Sequence, residues 1–161
     1  MKQKVLLPAL LASAGFLAGA WFVSTAQNST ASPETLTSAV RRLTEVPVNQ
    51  GDWGRMWLHY VGQTAGTTNT LAAWAVIQPG QALHPAHRHA EEEFIVLVEG
   101  EGRWHLDGKE FPASKGDVQY LAPWVMHGLV NTGRTPLTFF VVKWNSKGLP
   151  LPPAPAGDHG K

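Results

Sequence analysis

The feature that most constrains this chain is its punctuation. Short apolar or alternating runs occupy residues 54–61, 69–78, 92–99, 103–106, 118–122 and 137–144. Turn-forming stretches separate them at residues 62–66, 79–80, 100–102, 107–108, 115–116 and 131–136. No segment of a dozen residues within this region repeats its apolar residues at helical spacing, so the runs are predicted to be strands. Asp107-Gly108, set between Trp104-His105-Leu106 and Lys109-Glu110-Phe111, reads as a two-residue hairpin turn, because both of its central positions favour positive φ. Many short strands at regular intervals predict an all-β sandwich or barrel.

The ends of the chain read differently. Lys2 and Lys4 precede an uncharged apolar run over residues 5–23. Such a run is predicted to form an apolar helix, either as a membrane anchor or as the core of a secretory signal. Small residues at Ser24, Thr25 and Ala26 fit cleavage after Ala26. Lysines held on the cytoplasmic side would send the domain outward in both cases, to the periplasm or the exterior. Loss of residues 1–26 would remove two lysines and no acid, taking the formal charge from +1 to −1. A nearly neutral chain without a basic patch gives no sign of nucleic-acid binding. With no cysteine, the chain can form no disulfide and has no thiolate to offer a metal. Residues 27–38 are predicted to be a linker, residues 39–148 a barrel domain, and residues 149–161, with four prolines, a disordered tail.

Four side chains carry the chemistry. His87 and His89 are two apart, so on an extended segment both imidazoles reach one face. Glu93 opens the next apolar run and shares its parity with Ile95 and Leu97, which places its carboxylate on an apolar, inward face. His127 lies on a separate run and has to come from another strand. Three imidazoles and one carboxylate suit one divalent transition metal, whether manganese, iron, cobalt, nickel or zinc. Glu92 is the alternative to Glu93 if the turn is displaced by a residue. Glu91 reads as a solvated turn charge, as do His59 and His105 as surface strand residues. His159 lies in the tail.

Gly80, six residues, His87-x-His89, three residues, Glu93, six residues and Gly100 resemble the first cupin motif. Gly116-Asp117 through His127 to Asn131 resembles the second. The chain departs from the family in two places. Six residues rather than five separate Gly80 from His87, and Ala122 and Trp124 stand where a proline and a glycine are usual, with Pro123 between them.

The resemblance implies a double-stranded β-helix, or jelly-roll barrel, with His87, His89, Glu93 and His127 as the metal ligands. It also implies a small-molecule substrate or ligand. Cupins include dioxygenases, isomerases, lyases and non-catalytic binding modules, so the expected function is an oxygenase-like or Lewis-acid metalloenzyme, with a binding module as the alternative. Tyr120 and His84 are the candidates for proton transfer, and Trp74 and Tyr120 for lining the pocket. An edge strand over residues 43–49 could pair with a second copy, and dimerisation is common among cupins, so a homodimer is a candidate assembly.

Overall fold

The computed structural model describes residues 34–156. The predicted apolar helix at residues 5–23 and His159 lie outside them. Among the described residues no helix is long and apolar enough to cross a membrane.

Among the described residues nine strands follow one another: β1 (Val48–Gly51), β2 (Gly54–Gly62), β3 (Thr67–Ile77), β4 (Glu92–Glu99), β5 (Glu101–Leu106), β6 (Lys109–Ser114), β7 (Val118–Leu121), β8 (His127–Val130) and β9 (Leu137–Ser146). They make a six-stranded sheet in the order β1-β2-β3-β9-β4-β7 and a three-stranded sheet in the order β6-β5-β8. All pairs within the two sheets are antiparallel. This is an all-β fold of two antiparallel sheets, as the strand pattern predicts. The hairpin at Asp107-Gly108 forms as the sequence predicts, with φ of 48° and 76° at its two central residues and Leu106 paired with Lys109 across it.

Strict alternation explains which faces meet. On β4, Glu93, Ile95 and Leu97 are 7%, 5% and 0% exposed, whereas Phe94 between them is 40% exposed. Leu137, Phe139 and Val141 on β9 and Ala73, Ala75 and Ile77 on β3 continue the same inner face. Trp104 and Leu129 of the smaller sheet meet them from the other side. Full burial of each large aliphatic side chain here stabilises the barrel by roughly 2 kcal/mol. The outer face of the large sheet is apolar too. Val48, Trp57, Trp74, Phe140, Val96 and Val118 stand in one register row across all six strands.

The edge strand is shorter than expected. Leu43–Glu45 forms a 3-10 turn, and only Val48–Gly51 pairs at the sheet edge. The Glu45 carboxylate folds back onto the backbone and side chain of Arg42, which closes that turn. Pro47 has no N–H for a ladder, and its carbonyl accepts from Leu58 at 2.9 Å.

The turn before β8 explains how the chain tolerates its departure from the second motif. Trp124 adopts φ of 65°, the left-handed conformation natural to the glycine it replaces. Its backbone N–H donates to His89 O at 2.7 Å, and its indole Nε1 donates to Pro152 O at 2.8 Å. The described part of the tail, residues 149–156, contains no strand or helix yet touches the barrel through this bond. Trp124→Gly and Trp124→Ala both remove the indole, but only alanine keeps a Cβ in the left-handed region. The glycine variant should therefore be the more stable of the two by about 1 kcal/mol in urea unfolding. Equal stabilities would show that the backbone at 124 carries no such strain.

Candidate metal centre

Residues 80–87 form no regular strand, yet they run along the free edge of β8. Gly80 N donates to Asn131 O and Asn131 N to Gln81 O, both at 2.9 Å. His87 and His127 then exchange both backbone hydrogen bonds, at 2.9 and 2.8 Å, in an antiparallel bridge. From the bridge at Ala82–Val130 to that at His87–His127, five steps on one side match three on the other, so the loop bulges. Gly128 lies beneath the bulge, where a Cβ would come within 3.2 Å of Ala86 Cα. The buried Asn131 side chain pins the far end by donating to Ile77 O at 2.8 Å and Thr135 O at 2.9 Å.

This backbone brings the three imidazoles together. Ring centroids lie 4.5 Å apart for His87 and His127, 4.9 Å for His89 and His127, and 5.2 Å for His87 and His89. Each ring offers a nitrogen within 4.8 Å of the others, an arrangement that could hold a metal ion. Glu93 reaches the same point from β4, with Oε2 2.7 Å from His89 Nε2 and 3.3 Å from His127 Nε2.

The hydrogen bonds around the rings decide which nitrogens face inward. His127 Nδ1 lies 2.8 Å from Val125 O, and His89 Nδ1 lies 3.2 Å from Glu91 O. A carbonyl oxygen only accepts, so each Nδ1 carries the proton and each Nε2 in the neutral ring keeps its lone pair. His127 Nε2 is buried and has no hydrogen-bond partner. Two acceptors as close as His89 Nε2 and Glu93 Oε2 repel unless a proton or a cation lies between them. The donor set therefore fits a divalent transition metal.

The electrostatics agree. Burial and the neighbouring histidines His84, His127 and His89 lower the His87 pKa to about 4, although Glu93 opposes them. Burial raises the Glu93 pKa, but the imidazoles of His127 and His89 outweigh it and bring the carboxyl to about 2. At neutral pH the pocket thus presents a neutral His87 and an ionised Glu93, the protonation states a metal needs.

A cavity of about 260 Å³ opens beside these residues. Met56, Leu71, Leu83, Leu129, Phe139 and Val141 form much of its wall, and His84 and Lys143 also line it. His84 thus stands where a proton-transfer residue could act, its ring 4.0 Å from that of His87. Tyr120 and Trp74 do not. Tyr120 is 48% exposed on the outer face, where its hydroxyl donates to Glu92 at 2.9 Å and packs by Phe94. Trp74 alternates with the buried Ala73 and Ala75, so it also faces outward, against Phe140. Alternation excludes both from the pocket. Glu92 is likewise on the outward parity of β4, away from the imidazoles.

Two further residues stand beside the imidazoles that the sequence reading did not place there. Glu91, read as a solvated turn charge, is only 17% exposed, with one oxygen 3.3 Å from His89 Nδ1 and the other 3.9 Å from Lys143. Lys143 shares its parity on β9 with Phe139 and Val141, a signal visible in the sequence, but only pairing with Glu93 shows what it faces.

The lowered pKa values set the acid stability of the metal-free protein. Below about 6.5 the unfolded chain protonates His87, while the folded protein does not until about 4, so stability falls across that window. Glu93 extends the fall from 4.5 toward 2 by the same logic. Urea midpoints measured after chelation should decline from pH 6.5 downward, and His87→Gln should flatten the part above pH 4 while leaving the lower part. An unchanged upper slope in His87→Gln would assign the fall to other groups.

A cupin domain model matches residues 73–143. The chain is similar to a gentisate 1,2-dioxygenase of Streptomyces, at 32% identity over 66% of this chain and 31% of that one. It is also similar to an oxalate-binding protein of Thermotoga maritima, at 33% identity over 45% of this chain and 60% of that one. The chain therefore spans less than two thirds of either relative. Among solved structures, an RmlC-like cupin from Shewanella frigidimarina superposes with a TM-score of 0.56 at 18% identity, covering 70% of this chain and 95% of that one, a likeness of fold alone. The matched segment and the shared two-sheet architecture together support a cupin fold.

Proposed function

We propose that this chain is a metal-dependent cupin enzyme acting on a small organic substrate, with His87, His89, Glu93 and His127 holding one divalent transition metal. The observation that carries this reading is the convergence of three imidazoles and a buried carboxylate at an apolar cavity. When bound, manganese, iron, cobalt, nickel or zinc would supply Lewis acidity, and a redox-active ion also electron transfer. The chain's own residues do the rest. The aliphatic wall excludes water and selects a small ligand, and His84 moves protons at the edge of the cluster. The likeness to a gentisate 1,2-dioxygenase supports an oxygenase as the subclass. The likeness to an oxalate-binding protein supports the alternative, a module that holds a small ligand without turning it over.

Elemental analysis of the chain purified without added metal or chelator tests the site, beside a His87→Ala/His89→Ala double variant. Near-stoichiometric transition metal in the wild type and its loss in the variant are expected. No metal in either, even after reconstitution, would leave a metal-free ligand-binding barrel.

Export of the domain is part of the same proposal. It is supported by Lys2 and Lys4 before the uncharged run at residues 5–23 and by the small residues ending at Ala26. N-terminal sequencing after cell fractionation should find either an exported protein beginning at Gln27 or an intact one in the membrane fraction. An intact protein in the cytoplasm would overturn export.

A further inference from the structure

We infer that Lys143 makes the cavity a site for a monoanion, a small carboxylic acid with an apolar body, whose carboxylate sits on the Lys143 ammonium. The inference rests on the proposed metal site and names the ligand that site takes.

Its first support is position. Leu71, Lys143, Glu93 and Leu121 lie in one register row across β3, β9, β4 and β7. Lys143 is thus the direct cross-strand neighbour of Glu93, and directly opposed Cβ atoms lie about 5 Å apart. Its parity on β9 is that of Phe139 and Val141, which are 4% and 2% exposed, so the chain places a lysine on an otherwise apolar inner stripe. Among the described residues that line the cavity, Lys143 is the sole lysine or arginine.

The second support is incomplete pairing. The ammonium lies 3.9 Å from Glu91 Oε1, within range of an ion pair but too far for a hydrogen bond. Glu91 is shared, because its other oxygen is 3.3 Å from His89 Nδ1. The ammonium therefore keeps donors to offer a ligand, beside a low-dielectric wall where a charge-assisted bond is strong.

The third is charge balance. With a divalent ion on the histidines, the carboxylates of Glu93 and Glu91 cancel the ion, and the Lys143 charge is left over. A ligand bearing one negative charge neutralises the pocket, whereas a cation or a neutral amide does not. The size limit follows from the volume. A cavity of about 260 Å³ holds a ligand on the scale of roughly nine waters at about 30 Å³ each, which suits a single ring or a short chain with one carboxylate.

Benzoate and its neutral counterpart benzamide probe this directly, by isothermal titration of the full chain loaded with zinc and of Lys143→Met, Lys143→Arg and Glu91→Gln, with zinc content measured for each. Lys143→Met should keep its zinc, bind benzoate about ten- to a hundredfold more weakly and bind benzamide as the wild type does. Lys143→Arg should restore benzoate binding, and Glu91→Gln, which frees the ammonium, should tighten it. Zinc retained with benzoate affinity unchanged in Lys143→Met would overturn the inference and leave the metal site standing, since the metal alone would then hold the carboxylate. Should Lys143→Met not fold, unchanged or weaker benzoate binding in Glu91→Gln overturns it instead. A wild type that takes up no zinc overturns the metal reading, and loss of its benzoate binding in Lys143→Met would still support the anion site.

Discussion

The structure turns on the pair of reciprocal backbone hydrogen bonds between His87 and His127. They join a loop without regular structure to the free edge of β8, outside both named sheets. A hydrogen-bonded antiparallel pair fixes its two Cα atoms about 5.5 Å apart, with both side chains on one side. Two imidazoles from distant parts of the chain therefore meet without any contact between their rings having to hold them. The same pairing covers the outer edge of β8, which would otherwise present open N–H and C=O groups. Asn131 closes the far end of the loop and is fully buried, which its satisfied amide permits.

The other half of the site comes from the large sheet. Glu93 and Lys143 are neighbours on its inner face, and the core between the sheets sets how far they stand from the imidazoles. The polar residues therefore sit at one end of a packed apolar interior. Low dielectric strengthens each charge there and makes an uncompensated one costly. His87 answers by staying neutral, and Glu93 by staying ionised against two imidazoles. The second motif is tied to this assembly through Trp124, whose backbone amide holds the His89 carbonyl and whose indole reaches the tail.

Much of the fold was legible in the sequence because a strand declares itself locally. The run at residues 92–99 coincides with β4, and Asp107-Gly108 turns where the chemistry of its two residues requires. Parity alone placed Glu93 on the inner face with Ile95 and Leu97. The same rule, applied without knowing which parity faces inward, misassigned Trp74 and Tyr120, since an apolar row also covers the outer face. Residues 43–45 misled for a local reason, the return of the Glu45 carboxylate onto Arg42, which no strand pattern reports.

The sequence by itself determined the strands, their turns, and the kinds of side chain available to a metal, because each depends on residue type and on neighbours a few positions away. Position 124 shows where that reach ends. A tryptophan there gives no local sign that the turn stays left-handed, and the conformation is held by bonds to residues 89 and 152. Only the tertiary structure decided that His127 stands beside His87, that the half-buried Glu91 lies between His89 and Lys143, and that Lys143 faces Glu93 across two strands. These are facts of register between segments far apart in the chain, and register is fixed when the two sheets close on one core.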